Sequence, residues 1–126
     1  MGTVRAIGTD IVDLDHFRRV LERSRPGFVE YLFTENEIDY CERYREKTAS
    51  YAAIFAAKEA FLKALRTGLA PGLGWRDVEV LHESGGAPRI VAHRGCAELL
   101  AGGRAHVTLS HSTSAAHAVV VIEDPD

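Results

Sequence analysis

The sequence predicts one mixed α+β domain, and three observations predict it. The 126 residues match the length of a single typical domain. The first half passes from a strand-like segment into apolar patterns of helical period, whereas the second half alternates with the period of strands. No internal repeat, and no linker longer than a few Gly or Pro residues, divides the chain. With 46% hydrophobic and 26% charged residues, the composition suits a globular protein with a core and excludes a disordered or collagen-like chain.

The elements follow in order. Val4 to Val12 reads as a strand, with Ile7 and Ile11 on one face and Ala6, Gly8, Asp10 and Val12 on the other. His16 to Arg23 carries Phe17, Val20 and Leu21 at helical spacing, and Arg25-Pro26-Gly27 interrupts it before a short helical turn with Phe28, Leu32 and Phe33. Thr34-Glu35-Asn36-Glu37 has the pattern of a capping box, so a helix is expected to begin near Glu35. A long helix is expected from Ala49 to Arg66, with Tyr51, Ile54, Phe55, Phe61, Leu62 and Leu65 on its apolar side and Gly68 ending it. Asp77 to Glu83 and Arg89 to His93 read as a hairpin turning at Gly85-Gly86-Ala87-Pro88. A short helix, Ala97 to Leu100, stops at Gly102-Gly103. Two further strands, Ala105 to Ser110 and Ala116 to Glu123, follow.

Charge and cysteine content narrow the function. Fifteen Lys plus Arg against eighteen Asp plus Glu leave a net charge of −3, too little positive field for nucleic acid, so an anionic ligand has to be gripped locally. Cys41 and Cys96 lack CxxC spacing, and two buried thiols in a reducing compartment are expected. The opening MGTVRAIGTD lacks the apolar stretch of a signal peptide, and no apolar run is long enough to span a bilayer. A cytoplasmic protein with no membrane partner is expected.

Three groups of residues carry chemistry. Asp10 lies within an apolar strand, where a carboxylate needs a cation, although spacing alone also accommodates a structural aspartate at a strand end. Ala52, Ala56, Glu59 and Lys63 recur at i, i+4, i+7 and i+11, which stacks two small residues, a carboxylate and an ammonium on one stripe. An exposed Glu-to-Lys pair is the plain alternative. Asp10 and Glu59 together would offer two hard oxygen ligands, and magnesium is usually held by one or two carboxylates plus substrate phosphates. The third group is His106-Val107-Thr108-Leu109-Ser110-His111-Ser112, with His106, Thr108 and Ser110 on one side of a strand and His111 at its end. These groups can donate to phosphate oxygens, and a histidine packed beside a turn fits the same pattern. Two H-x-T-like elements five residues apart cannot form a two-lobed phosphoesterase, and His106, His111 and His117 match no zinc spacing.

The combination of Ile7-Gly8-Thr9-Asp10-Ile11-Val12, Phe33-Thr34-Glu35-Asn36-Glu37, Phe55-Ala56-Ala57-Lys58-Glu59-Ala60-Phe61-Leu62-Lys63-Ala64, Gly86-Ala87-Pro88 and Val107-Thr108-Leu109-Ser110-His111-Ser112 resembles the holo-[acyl-carrier-protein] synthases, the small 4′-phosphopantetheinyl transferases. The resemblance implies one domain over residues 1–126, an antiparallel sheet packed on a long helix, and a homotrimer. It implies transfer of the phosphopantetheine arm of coenzyme A to a serine of an apo acyl carrier protein, releasing adenosine 3′,5′-bisphosphate. By the same resemblance Asp10 and Glu59 hold Mg2+, and Asp10, Glu59 and Lys63 form the catalytic set. Lys63, Gly68, Pro88, Thr108, Ser110 and His111 contact coenzyme A. The active sites would lie between subunits, with Asp10 from one chain and Glu59 from its neighbour. Since a carboxylate neighbour opposes a neutral lysine, Lys63 reads as an electrostatic stabiliser, and Glu59 or a metal-bound water as the proton acceptor.

Three positions depart from the family pattern. His16 stands where an arginine associated with carrier docking is usual, with Arg18, Arg19, Arg23 and Arg25 on the same segment. Ile54 replaces an arginine and Arg66 a glycine, both near the expected coenzyme A surface. These changes motivate an alternative, a non-catalytic relative that binds carrier protein or nucleotide.

Overall fold

The structure, a computed structural model, describes residues 2–126. In chain order these form β1 (Thr3–Asp13), α1 (Leu14–Arg23), α2 (Phe28–Leu32), α3 (Glu35–Glu42), α4 (Lys47–Ala64), β2 (Val78–His82), β3 (Pro88–Ala92), α5 (Arg94–Leu100), β4 (Arg104–His111) and β5 (Ala115–Asp124). A single 3₁₀ turn, Trp75–Asp77, leads into β2 and was not expected from the sequence. The expected elements are present, with ends shifted by a few residues.

β1, β5 and β4 form an antiparallel sheet in the order β1-β5-β4, and β2 with β3 forms a separate hairpin. The register places Asp10 opposite Ala118 and Ser110 opposite His117. α4 lies across the sheet and packs on β1 and β5.

Which face of β1 meets α4 is decided by size rather than by hydrophobicity. Ile7 and Ile11 point outward and are 65% and 69% exposed, while Ala6, Gly8 and Val12 turn inward. A Cβ at Gly8 would sit 1.9 Å from the carbonyl oxygen of Ala60, so only glycine lets the strand backbone rest directly on the helix. The small side chains Ala116 and Ala118 keep β5 equally close.

The helix ends are chemically defined. Asp13 caps α1 by accepting from the His16 N–H. At α3 the capping box is complete, with Thr34 and Glu37 each accepting the other's backbone N–H. α4 ends at Ala64 because Arg66, not the expected Gly68, is the first residue in the left-handed region, at φ 65°. A glycine would adopt that conformation without the Cβ penalty that Arg66 carries. Gly68 is also left-handed, at φ 57°, and its N–H reaches back to Leu62 O.

Candidate functional site

Gly8 brings β1 onto α4, and two residues later the same inward face delivers Asp10 to the helix. Lys63, one turn beyond Glu59 on α4, donates from Nζ to Asp10 Oδ1 at 2.8 Å and to Thr9 O at 3.0 Å. Asp10 therefore has its cation within the chain. Its side chain is 15% exposed and that of Lys63 53%, so the pair sits at the rim of the structure. The hydrogen bond that Lys63 donates to Asp10 raises the Lys63 pKa above its ordinary value.

Glu59 is half-buried, and its side chain makes no hydrogen bond among the described residues. Burial first, and the nearby Asp10 charge second, push its pKa up, with Lys63 opposing. Two carboxylates with one ammonium between them leave one negative charge unmatched. Both acids line one cavity of about 510 Å³ within a single chain. The resemblance draws Glu59 from a neighbouring subunit; within one chain Asp10 and Glu59 already line the same cavity, because β1 and α4 are packed together. Beyond them the cavity is apolar, walled by Phe17, Phe28, Tyr31, Phe55 and Trp75, and His16 stands on its edge.

A second cavity, of about 450 Å³, opens between α3, α4, the β2–β3 hairpin and β4. Pro88 and His111, two of the residues expected at coenzyme A, line it. Its wall includes a parallel stack of Tyr40 on His82, with ring centroids 3.8 Å apart, which sequence spacing had not suggested. Burial lowers the His82 pKa, and its Nδ1 is buried without a hydrogen-bond partner. Arg45 and Glu46 bring one charge of each sign, and Ile54 presents a neutral surface.

Other expected site residues lie elsewhere. Thr108 and Ser110 point to the outer face of the sheet, opposite to Leu109 and His111. Gly68 is in the exposed segment after α4. Neither cavity of a single chain collects these three residues. The zinc alternative fails: His106 pairs with Glu123 at 3.1 Å and His117 with the Thr9 hydroxyl at 2.8 Å. Among the described residues no group of three or more His, Cys, Asp or Glu could hold a metal ion. Asp10 and Glu59 are a pair of ligands and not a complete cage.

Two buried polar networks escaped the sequence reading. Lys58, fully buried, pairs with Glu37 at 2.7 Å. Glu79 accepts from the Thr34 hydroxyl at 2.6 Å, from Asn36 at 3.2 Å and interacts with His93 at 3.0 Å. Thr34-x-x-Glu37 signalled the helix start, but a motif of four residues carries no sign of partners on other elements.

A small α+β protein that sets two carboxylates and an ammonium at a strand–helix junction, beside a cavity with a histidine and a proline turn, matches a known group. The model of the 4′-phosphopantetheinyl transferase superfamily matches residues 6–121. A holo-[acyl-carrier-protein] synthase of Geobacter sulfurreducens is 42% identical over 121 residues, covering 94% of this chain and 96% of that relative. The crystal structure of the holo-[acyl-carrier-protein] synthase from Neisseria meningitidis superposes with a TM-score of 0.88 at 27% identity, covering 97% of this chain and all of that one (100%). The corresponding protein of Bacillus anthracis, solved in complex with CoA (3′,5′-ADP), superposes with a TM-score of 0.82 at 31% identity, covering 97% of this chain and 98% of that one. The chain belongs to the 4′-phosphopantetheinyl transferase superfamily.

Proposed function

We propose that the protein transfers the 4′-phosphopantetheine arm of coenzyme A to a serine of an apo acyl carrier protein, releasing adenosine 3′,5′-bisphosphate. The observation that carries this reading is the convergence of Asp10, Glu59 and Lys63 at one end of α4 in a chain that matches holo-[acyl-carrier-protein] synthases over nearly its whole length.

The donor set fits a divalent ion. Asp10 and Glu59 present hard oxygens, Glu59 has no hydrogen-bonding partner, and their mutual repulsion is relieved by a cation between them. When bound, Mg2+ would neutralise charge on the diphosphate oxygens of coenzyme A. The chain's own groups do the rest. Lys63 offers a mobile ammonium to the phosphoryl oxygens, where charge develops as the serine oxygen attacks. A Glu59 oxygen, or a water held by the ion, would accept the serine proton. The serine O–P bond forms as the P–O bond to the bisphosphate breaks. The second cavity, which Pro88 and His111 line, would receive the adenosine end of the donor.

The outer sheet face supports a homotrimer. Val4, Ile7 and Ile11 are 59%, 65% and 69% exposed there, an apolar surface unusual for a lone small domain. Thr108 and Ser110 share that face, so a neighbouring copy would bring them to a donor bound at the junction. Cys41 and Cys96 are buried, with thiol pKa values pushed up to about 12 and about 11, and these inert free thiols favour a reducing cytoplasm. Among the described residues no helix is long and apolar enough to cross a membrane.

The test mixes the chain with apo carrier protein, coenzyme A and magnesium and reads the carrier by mass spectrometry. The expected result is a carrier heavier by one phosphopantetheine arm. Binding of both partners without a mass change would establish the non-catalytic alternative instead. Asp10→Asn and Glu59→Gln should each abolish the mass shift while the far-ultraviolet circular dichroism stays native, and substantial transfer by either would remove the metal assignment.

A further inference from the structure

Lys58 and Glu37 take no part in the proposed transfer, yet they form an ion pair that solvent does not reach, with both side chains 0% exposed. Burying both charges costs desolvation energy that the pair recovers only in part, so such pairs add little net stability, and their best-attested use is to specify one arrangement among several. What this pair can specify follows from the helix that carries Lys58.

α4 buries apolar residues around its whole circumference, among them Ala52, Ile54, Ala57, Phe61 and Ala64. Burial of apolar surface is not directional. Side chains of mixed size and the close Gly8–Ala60 approach hold the helix against the sheet, and a buried polar tie adds a directional constraint that apolar contact does not supply. Lys58 supplies the direction. Its ammonium donates to Leu32 O at 2.9 Å and Trp75 O at 3.0 Å besides meeting Glu37 Oε1 at 2.7 Å. The Glu37 carboxylate cannot follow a rotating lysine, because Oε1 also accepts from the Thr34 N–H at 2.8 Å and Oε2 from the Val80 N–H at 2.7 Å. Consecutive helix residues point about 100° apart. With Lys58 tied toward α3, Glu59 is turned toward Asp10. Leu32 and Trp75 themselves line the cavity that holds the two carboxylates, so the same ammonium ties its walls.

We infer that the buried Lys58–Glu37 pair sets the rotation of α4 and thereby aims Glu59 at Asp10 to share a divalent ion. The two residues are positioning residues, and the inference rests on the reading of Asp10 and Glu59 as metal ligands.

The experiment compares the wild type with the double variant Lys58→Met/Glu37→Gln, which removes both charges at similar volume. Mn2+ binding is measured by calorimetry, and kcat and the KM for coenzyme A are measured alongside. The expected result is a folded protein whose Kd for Mn2+ rises at least about tenfold and whose kcat falls by a similar factor, with the KM for coenzyme A within about threefold. A purely stabilising role would lower Tm and leave all three unchanged. A folded double variant with Kd for Mn2+ and kcat within twofold of wild type overturns the inference. If the double variant does not fold, Glu37→Asp decides: it keeps both charges but withdraws the carboxylate by one methylene. A several-fold weaker Mn2+ affinity supports the inference, and one within twofold of wild type overturns it. A wild type that binds no Mn2+ sinks the metal reading and this inference with it, whereas a wild type that binds equally well without the pair sinks the inference alone.

Discussion

Of the three lysines on α4, Lys58 and Lys63 lie five residues apart and make ion pairs of almost the same length: 2.7 Å from Lys58 to Glu37 and 2.8 Å from Lys63 to Asp10. Their surroundings are opposite. Lys58 and Glu37 are both sealed from solvent, while Lys63 is 53% exposed. Distance therefore says little about what an ion pair does. In the buried pair each charge is the other's main compensation, and neither can leave. At the rim, water competes for both partners, so the ammonium of Lys63 can be released to an incoming phosphate at small cost. On the proposed reading, one pair builds the site and the other works in it.

The comparison breaks most visibly if the buried ammonium alone is removed. Lys58→Met leaves Glu37 inside the protein without its cation, and the expected loss is about 3–5 kcal/mol in denaturant unfolding. The loss should depend on pH. Burial already raises the Glu37 pKa, and Lys58 is what opposes the rise, so the variant's folded-state value lies further above the unfolded one. A carboxyl with a raised folded pKa is best tolerated below the unfolded value and increasingly penalised as pH rises through the folded one. Lys58→Met should come closest to wild-type stability near pH 4 and fall away toward neutrality. A destabilisation that does not change with pH would mean that Glu37 is not the group left unpaired.

The next effect concerns the contact that joins the two pairs. Gly8→Ala places a methyl group 1.9 Å from Ala60 O, a backbone atom that cannot yield without moving the helix or the strand. A loss of about 1–3 kcal/mol is expected from such overpacking. Transfer activity should fall more than stability does, because the displacement separates Asp10 from Glu59. Thermal unfolding and the carrier mass shift, measured on the same preparation, test this. Full activity in a destabilised Gly8→Ala variant would show that the carboxylate pair tolerates the shift.

Much of this arrangement was legible in the sequence because it rests on local rules. The Glu59-to-Lys63 spacing is helical geometry, Thr34-x-x-Glu37 is a capping pattern, and the alternation from Arg104 to His111 separates His106, Thr108 and Ser110 from the opposite face. The inward face of β1 was not legible, since periodicity tells which residues share a side but not which side meets the helix. There the apolar Ile7 and Ile11 lie outside and a glycine decides. Lys58 was hidden for a related reason. Lysine is normally a surface residue, and its burial depends on Glu37, Leu32 and Trp75, which come from elements distant in sequence. The Tyr40–His82 stack depends in the same way on how α3 meets the hairpin.

The smallest effect on stability, and the sharpest contrast with Lys58, is expected at Lys63. Lys63→Met should cost less than about 1 kcal/mol, because the ammonium is more than half exposed and its partner Asp10 can take up water in its place. The hydrogen bond donated to Asp10 raises the Lys63 pKa, so its contribution to stability is complete below the ordinary lysine value and is lost only as the pH rises through the folded value. Wild type and variant should therefore differ by a constant amount across neutral pH and converge only in strong alkali. Activity should behave differently. Loss of a charge that meets the phosphoryl oxygens in the transition state is expected to lower kcat by about 10²-fold or more, with the native circular dichroism retained. A variant that unfolds as readily as Lys58→Met would erase the distinction between the two pairs, because Lys63 would then be holding the fold and not only the phosphate.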